Sequence, residues 1–182
     1  MIYEARNFDN LLGLKGFSDQ LLKNHFMLYQ GYVANANKPT DNPELKRRFG
    51  WEFNGMRLHE YYFGNMAKEA PVLDKNSGFF KKLTEDFGTY ENWEKDFKSV
   101  GTMRGIGWAV LYFDTIMNKL INVWINEHDA GHLSGAIPLL VMDVFEHAYM
   151  TDYGLKRAEY IEAFFKVINW PAVIDRFNKG SK

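Results

Sequence analysis

Five histidines, one of them paired with an acid, mark where this 182-residue sequence could do chemistry. The stretch VMDVFEHAYMTDYG, residues 141–154, sets Asp143 and His147 four apart in an apolar run, with Glu146 between them. If the chain turns directly after Asp143, the two side chains reach a common point, because positions i and i+4 share a helix face. Two further histidines keep apolar, helically spaced company: His25 among Leu21, Leu22, Leu28 and Tyr29, and His59 in RLHEYYF. Burying uncompensated imidazoles is costly, whereas one cation satisfies several of their lone pairs at once. Two histidines from the first half, with a histidine and a carboxylate from the second, make an N3O set. Such a set suits iron, manganese or zinc, and not calcium, which takes oxygen ligands. Glu146 points away from its neighbours and would hydrogen-bond the far nitrogen of an imidazole, holding a ligand in orientation. The plainer alternative is a capped helix start with a local Asp–His hydrogen bond, which needs no metal.

Elements that could position these residues follow from periodicity. Ser18 caps a helix running to about Asn37, which KPTDNP at residues 38–43 stops with two prolines. A second helix runs from about Trp51 to Ala67, weakened by Gly55, and the two form a hairpin. KEAPVLDKNSG connects to two short helices in FFKKLTEDFGTYENWEKDFKSVGTM. GWAVLYFDT, a turn at MNKL and INVWIN read as a β-hairpin, and AIPLLVMDV as a third strand. KRAEYIEAFFKVINWPAVIDRF is helical with a break at Pro171. The expected fold class is α+β. An N-terminal helical hairpin domain, residues 1–70, precedes a C-terminal domain, residues 71–182, with a small three-stranded antiparallel sheet flanked by helices.

Composition narrows the function classes. A formal net charge of -1 provides no bulk attraction for nucleic acid or an anionic membrane. The absence of cysteine excludes disulfides, thiolate metal sites and thiol chemistry. No secretory leader pattern and no run of about 18 apolar residues is present, so a cytoplasmic location is expected and a membrane span is not. An aromatic content of 16% fits a bulky core, an interface, or a dry shell around a reactive centre.

DVFEHAY (residues 143–149), its extension through KRAEYIEAFFKVINW, and the segments YQGYVANAN, FNGMRLHEYYFGNM and GIGWAVLYF together resemble the iron/manganese superoxide dismutase family. The resemblance covers nearly the whole chain. It implies Asp143, His147 and His59 as metal ligands, Tyr32 as the gateway tyrosine and Trp108 as the active-site tryptophan. It implies one iron or manganese ion per chain, with iron preferred, and disproportionation of superoxide to dioxygen and hydrogen peroxide. A homodimer is also implied, or a tetramer built from dimers, in which Glu146 reaches the partner's His147.

The family sets a hydrogen-bond donor, usually glutamine, beside the metal's solvent ligand. Position 55, one source of it, is Gly here, and INEHDAGH resembles members that use a loop histidine, which points to His128; His132 is a surface residue or a local hydrogen-bond partner with no assigned role. The first ligand usually lies eight residues before the gateway tyrosine, a position held by Asn24, but imidazole is the better ligand and His25 is the choice. Leu28 and Met150 stand where a bridging histidine–tyrosine pair is usual, leaving Tyr29 as a compensating group. The amino-terminal segment is shorter than usual and lacks the proline-rich opening. Two other readings are a redox metalloprotein on the same scaffold with little dismutase activity, and a non-enzymatic interaction protein whose aromatics serve only core and interface.

Overall fold

Free amides at helix starts find side-chain acceptors, and these caps set most of the boundaries. In the computed structural model, which describes residues 2–39 and 41–181, Ser18 accepts the Leu21 amide and opens α1 (Asp19–Ala36). Asn42 accepts from Leu45 and opens α2 (Pro43–Gly64). This second helix starts well before the expected Trp51 and ends before Ala67. Pro43 is its first residue, where a missing N–H costs nothing and a φ held near the helical value helps. Of the KPTDNP segment, Thr40 lies outside the described residues.

Pro171 follows the same logic. The C-terminal helical stretch divides into α6 (Arg157–Phe165) and α7 (Trp170–Gly180), and the break falls before Pro171, which sits in the first turn of α7. Read as a stop, each of these prolines belongs to a start. Upstream, α3 (Gly78–Phe87) and α4 (Tyr90–Thr102) are capped by Ser77 and Thr89, and Gly88 makes the turn between them at φ +83°. A short helix, α5 (Met150–Tyr153), precedes α6.

The three strands are β1 (Gly107–Asp114), β2 (Lys119–Asn126) and β3 (Ile137–Asp143), antiparallel in the order β2–β1–β3. Asp114 Oδ1 accepts the Ile116 and Met117 amides and Asn118 turns at φ +50°, so β2 begins at Lys119, inside the segment expected to be the turn. The central strand is buried from Gly107 through Phe113, which explains its unbroken apolar run. The α2 and α7 helices pack on β3, α4 packs on β1 and β2, and α1 meets a 3₁₀ turn at Glu146–Ala148. Among the described residues no helix is long and apolar enough to cross a membrane.

Two features of this arrangement bring the reactive residues together. Register pairs Trp108 of β1 with Asp143 of β3, placing an indole and a carboxylate at the same end of the sheet. The 3₁₀ turn that follows β3 carries His147 back toward that end, beside the buried faces of α1 and α2.

Candidate metal centre

Helix periodicity turns His25 and His59 inward to 1% and 0% exposure, respectively, from α1 and α2. Asn24 is exposed and accepts a hydrogen bond from Gln20, so the alternative first position lies on the wrong face. Asp143 ends β3 at 0% exposure, and its Oδ1 is held by the Phe145 amide at 2.8 Å. Its other oxygen, Oδ2, faces three imidazoles: His147 Nε2 at 3.1 Å, His25 Nε2 at 3.2 Å and His59 Nε2 at 3.5 Å. One ligand atom from each of the four residues lies within 4.8 Å of the others.

The local Asp143–His147 hydrogen bond exists, but it accounts for only one of the three imidazoles. His25 Nε2 and His59 Nε2 are buried without a hydrogen-bond partner. For His59 the tautomer is set: Nδ1 lies 2.5 Å from the Gly55 carbonyl, which can only accept, so the proton sits on Nδ1 and a lone pair remains on Nε2. Burial, and then the neighbouring His25, hold the His59 pKa well below its ordinary value and keep the ring neutral. Burial likewise lowers His25. Burial would raise Asp143, but the surrounding imidazoles, His147 first, outweigh it and hold the carboxyl far below the usual range. A lone pair facing a carboxylate oxygen in a dry site is repulsive, and a cation between them converts that repulsion into ligation. Three neutral nitrogens and one carboxylate oxygen fit iron, manganese or zinc.

Around this cluster the remaining groups form a hydrogen-bonded chain. Trp108, fully buried, donates its indole N–H to His128 Nδ1 at 3.1 Å. Since Trp can only donate, the neutral His128 ring carries its proton on Nε2 and donates it to Tyr32 Oη at 2.7 Å. The Tyr32 hydroxyl proton is thereby left free to point elsewhere. Burial, then the charge of Asp143, pushes the Tyr32 phenol up to about 12, and burial lowers His128 to about 4. Phe145 lies stacked between His128 and His147, with ring centroids 4.7 and 5.1 Å away.

The family model for iron/manganese superoxide dismutases, C-terminal domain, matches residues 75–176. A manganese superoxide dismutase of Haloferax volcanii is 34% identical, covering 90% of this chain and 88% of its own length. An iron superoxide dismutase of Aquifex pyrophilus is 35% identical over 93% of this chain and 88% of its own. The chain belongs to the iron/manganese superoxide dismutase family. A further iron superoxide dismutase, from Cupriavidus metallidurans, is 34% identical with 90% of each chain covered.

One expectation drawn from the dismutase pattern, a compensating role for Tyr29, changes in this chain, and the other residues of that pattern are placed as follows. Tyr32, seven residues after His25, stacks on the His59 ring at 5.3 Å, and Gly55 is what admits it. A Cβ at position 55 would lie 2.6–2.9 Å from the Tyr32 ring carbons, so the missing side chain of α2 and the shifted tyrosine of α1 are complementary. Leu28 and Met150 are both exposed, at 36% and 43%. Tyr29 does not reach Tyr32: its hydroxyl donates to Glu60 Oε1 at 3.0 Å and accepts the Arg6 amide. Glu146 is exposed, and its side chain makes no hydrogen bond or ion pair among the described residues, so within one chain it does not touch His147.

His132 is the local hydrogen-bond partner that the sequence allowed, whereas Tyr160 escaped sequence reasoning. His132 takes a Tyr112 hydroxyl on Nδ1 and donates from Nε2 to the His128 carbonyl, both at 2.8 Å, bracing the loop that carries His128. Tyr160 of α6 donates to the Asp143 carbonyl at 2.6 Å, with the Tyr62 phenol 3.1 Å away. A buried tyrosine in an apolar helix gives no sequence signal for a bond to a distant backbone oxygen.

Proposed function

We propose that this chain is a superoxide dismutase whose His25, His59, Asp143 and His147 hold one iron or manganese ion. The observation that carries the proposal is the convergence of three imidazole nitrogens, two of them without a hydrogen-bond partner, on one carboxylate oxygen. A bound iron or manganese ion supplies a one-electron couple, able to accept an electron from one superoxide and return it to another. The overall change takes two superoxide anions and two protons to one dioxygen and one hydrogen peroxide, so the protein's own residues must manage protons.

Tyr32 is suited to that task. Its phenol, pushed up to about 12 by burial and by the charge of Asp143, is protonated near neutral pH and receives the His128 Nε2–H, so its own proton is directed away from His128. Trp108, by fixing the His128 tautomer, fixes the direction of the whole chain. Trp108 and Phe145 exclude water beside the cluster, while His147 at 29% exposure marks the more open side. A dry, narrow site of this kind favours a small anion and strengthens its electrostatic interactions. Glu146, without a side-chain partner among the described residues, would reach the partner's His147 in a homodimer. Leu28 and Met150, both apolar and exposed, are the features that favour the second reading, a redox metalloprotein with little dismutase activity.

Elemental analysis of the purified protein, with dismutase assays on the same sample and on apoprotein reloaded separately with iron and manganese, tests this. About one iron or manganese per chain, with activity tracking occupancy, is the expected result and names the metal. Full occupancy without activity transfers the weight to the second reading. No bound metal and no activity after reloading would sink the site assignment.

A further inference from the structure

A second cluster of charge lies one residue along from His59. Glu60 is 6% exposed; its Oε1 takes the Tyr29 hydroxyl, and its Oε2 accepts Arg57 Nη1 at 2.6 Å and lies 3.6 Å from Arg6 Nη2. Arg176 of α7 joins Arg6, Arg57, Glu60 and Tyr61 in lining a cavity of about 350 Å³. One carboxylate against three guanidinium groups leaves the lining with an excess of two positive charges. Holding like charges together is unfavourable unless an anion joins them.

The three guanidinium groups differ in how far the protein satisfies them. Arg176 Nη1 donates to Asn65 Oδ1 and to the Leu139 carbonyl, while its Nε and Nη2 have no protein acceptor among the described residues. It has no carboxylate partner among the described residues, and its guanidinium carbon lies over the Tyr61 ring, 4.7 Å from the centroid. Burial pulls its pKa below the ordinary value; Tyr61 and Asp175 oppose that shift, and the charge of Arg6 adds to it. Arg57 lies over the rings of Tyr3 and Phe53, 5.5 Å from each. Contact with these rings restricts both side chains in advance, so less side-chain freedom remains to be lost on binding.

We propose that this cavity is a binding site for a phosphate-type oxyanion, gripped by Arg6, Arg57 and Arg176. Guanidinium forks match the paired oxygens of phosphate and bind them with charge-assisted hydrogen bonds. An adjoining cavity of about 420 Å³ shares Arg57 and Tyr61 and adds Phe53, Tyr112 and Pro138 to its lining. That apolar, aromatic annex has room for a ring carried on a phosphate monoester, so the oxyanion has two possible sources, free phosphate or an esterified one.

Calorimetric titration of the metal-loaded protein at low salt with inorganic phosphate, and separately with AMP, tests the proposal. Azide is added in a parallel series because it competes for metal ions. The expected result is saturable binding at one per chain that azide leaves unchanged. Arg6→Gln, which removes a 62% exposed guanidinium, should weaken it about tenfold or more. Arg47→Gln, which removes an exposed charge elsewhere on α2, should not. Tighter binding of AMP than of phosphate supports the esterified source, and equal affinities support free phosphate. Absence of saturable binding by either probe, displacement by azide, or equal effects of the two substitutions would overturn the proposal.

Discussion

The two halves of the metal centre are built by different physics. His25 and His59 come from the middles of long helices and are buried at 1% and 0%, each oriented by a repeat of 3.6 residues that turns one face inward. Asp143, His147 and His128 come from a strand end, a 3₁₀ turn and a loop, and their positions rest on register and individual hydrogen bonds. His147 is 29% exposed and Asp143 needs the Phe145 amide to hold one oxygen. The helical half is oriented by the repeat of its own backbone; the sheet half is placed by register and single contacts. Metal retention should therefore depend on both halves, whereas tuning of proton transfer should be concentrated in the sheet half and in Tyr32.

The largest effect is expected from Asp143→Asn. It removes the charge that all three imidazoles face, and the expected outcome is loss of bound metal together with loss of dismutase activity, read by elemental analysis and assay of the same sample. A variant that kept its metal in full would show that the Asp143 charge is not needed to hold it.

Next comes the pH dependence of the metal-free protein's stability. His128 is held at about 4 in the folded protein against 6.5 unfolded. The unfolded chain therefore takes up the proton first, and stability rises with pH across this window. As pH falls from about 6.5 to about 4, this residue should cost about 3 kcal/mol. Urea titrations at several pH values should show that much less loss in His128→Gln than in the unsubstituted chain. An unchanged slope would mean that the helical histidines, also lowered by burial, carry the whole dependence.

Gly55→Ala probes the joint between α1 and α2. The added Cβ meets the Tyr32 ring, and overpacking less the gain in helix propensity should cost about 1–2 kcal/mol. Activity should fall as well, because the displaced ring loses its bond to His128. A stable, fully active variant would show that the tyrosine has another resting place. The smallest effects separate Tyr29 from Leu28: Tyr29→Phe should cost about 1 kcal/mol by releasing the buried Glu60 carboxylate. Leu28→Ala, on the exposed face, should stay within about 0.5 kcal/mol. Equal costs would erase the inside–outside distinction on α1.

Legibility in the sequence follows the same division. Helix periodicity and the Ser18 cap placed α1 correctly, and the branched and aromatic runs of β1 and β3 were readable because burial on both faces leaves an unbroken apolar pattern. The boundary at Pro43 was misread, and the break expected at Pro171 falls just before it, because proline terminates one helix and begins another with equal local signal. The choice of His25 over Asn24 rested on ligand chemistry in the sequence, and the structure places His25 on the buried face and Asn24 on the exposed one. The orientation of Tyr29 toward Glu60, away from Tyr32, was not legible, since both directions are open to a helical residue until its neighbours are known.

By itself the sequence determined the α+β class, the family and the candidate set of three histidines and one aspartate, because helix periodicity and a dense local motif are written in adjacent residues. Only the tertiary structure decided that the three imidazoles face a single oxygen of Asp143, that Trp108 sets the proton position on His128, and that Gly55 and Tyr32 fill one space. Those relations join residues far apart in the chain, and their energies depend on angles and distances of a few ångströms that no local pattern encodes.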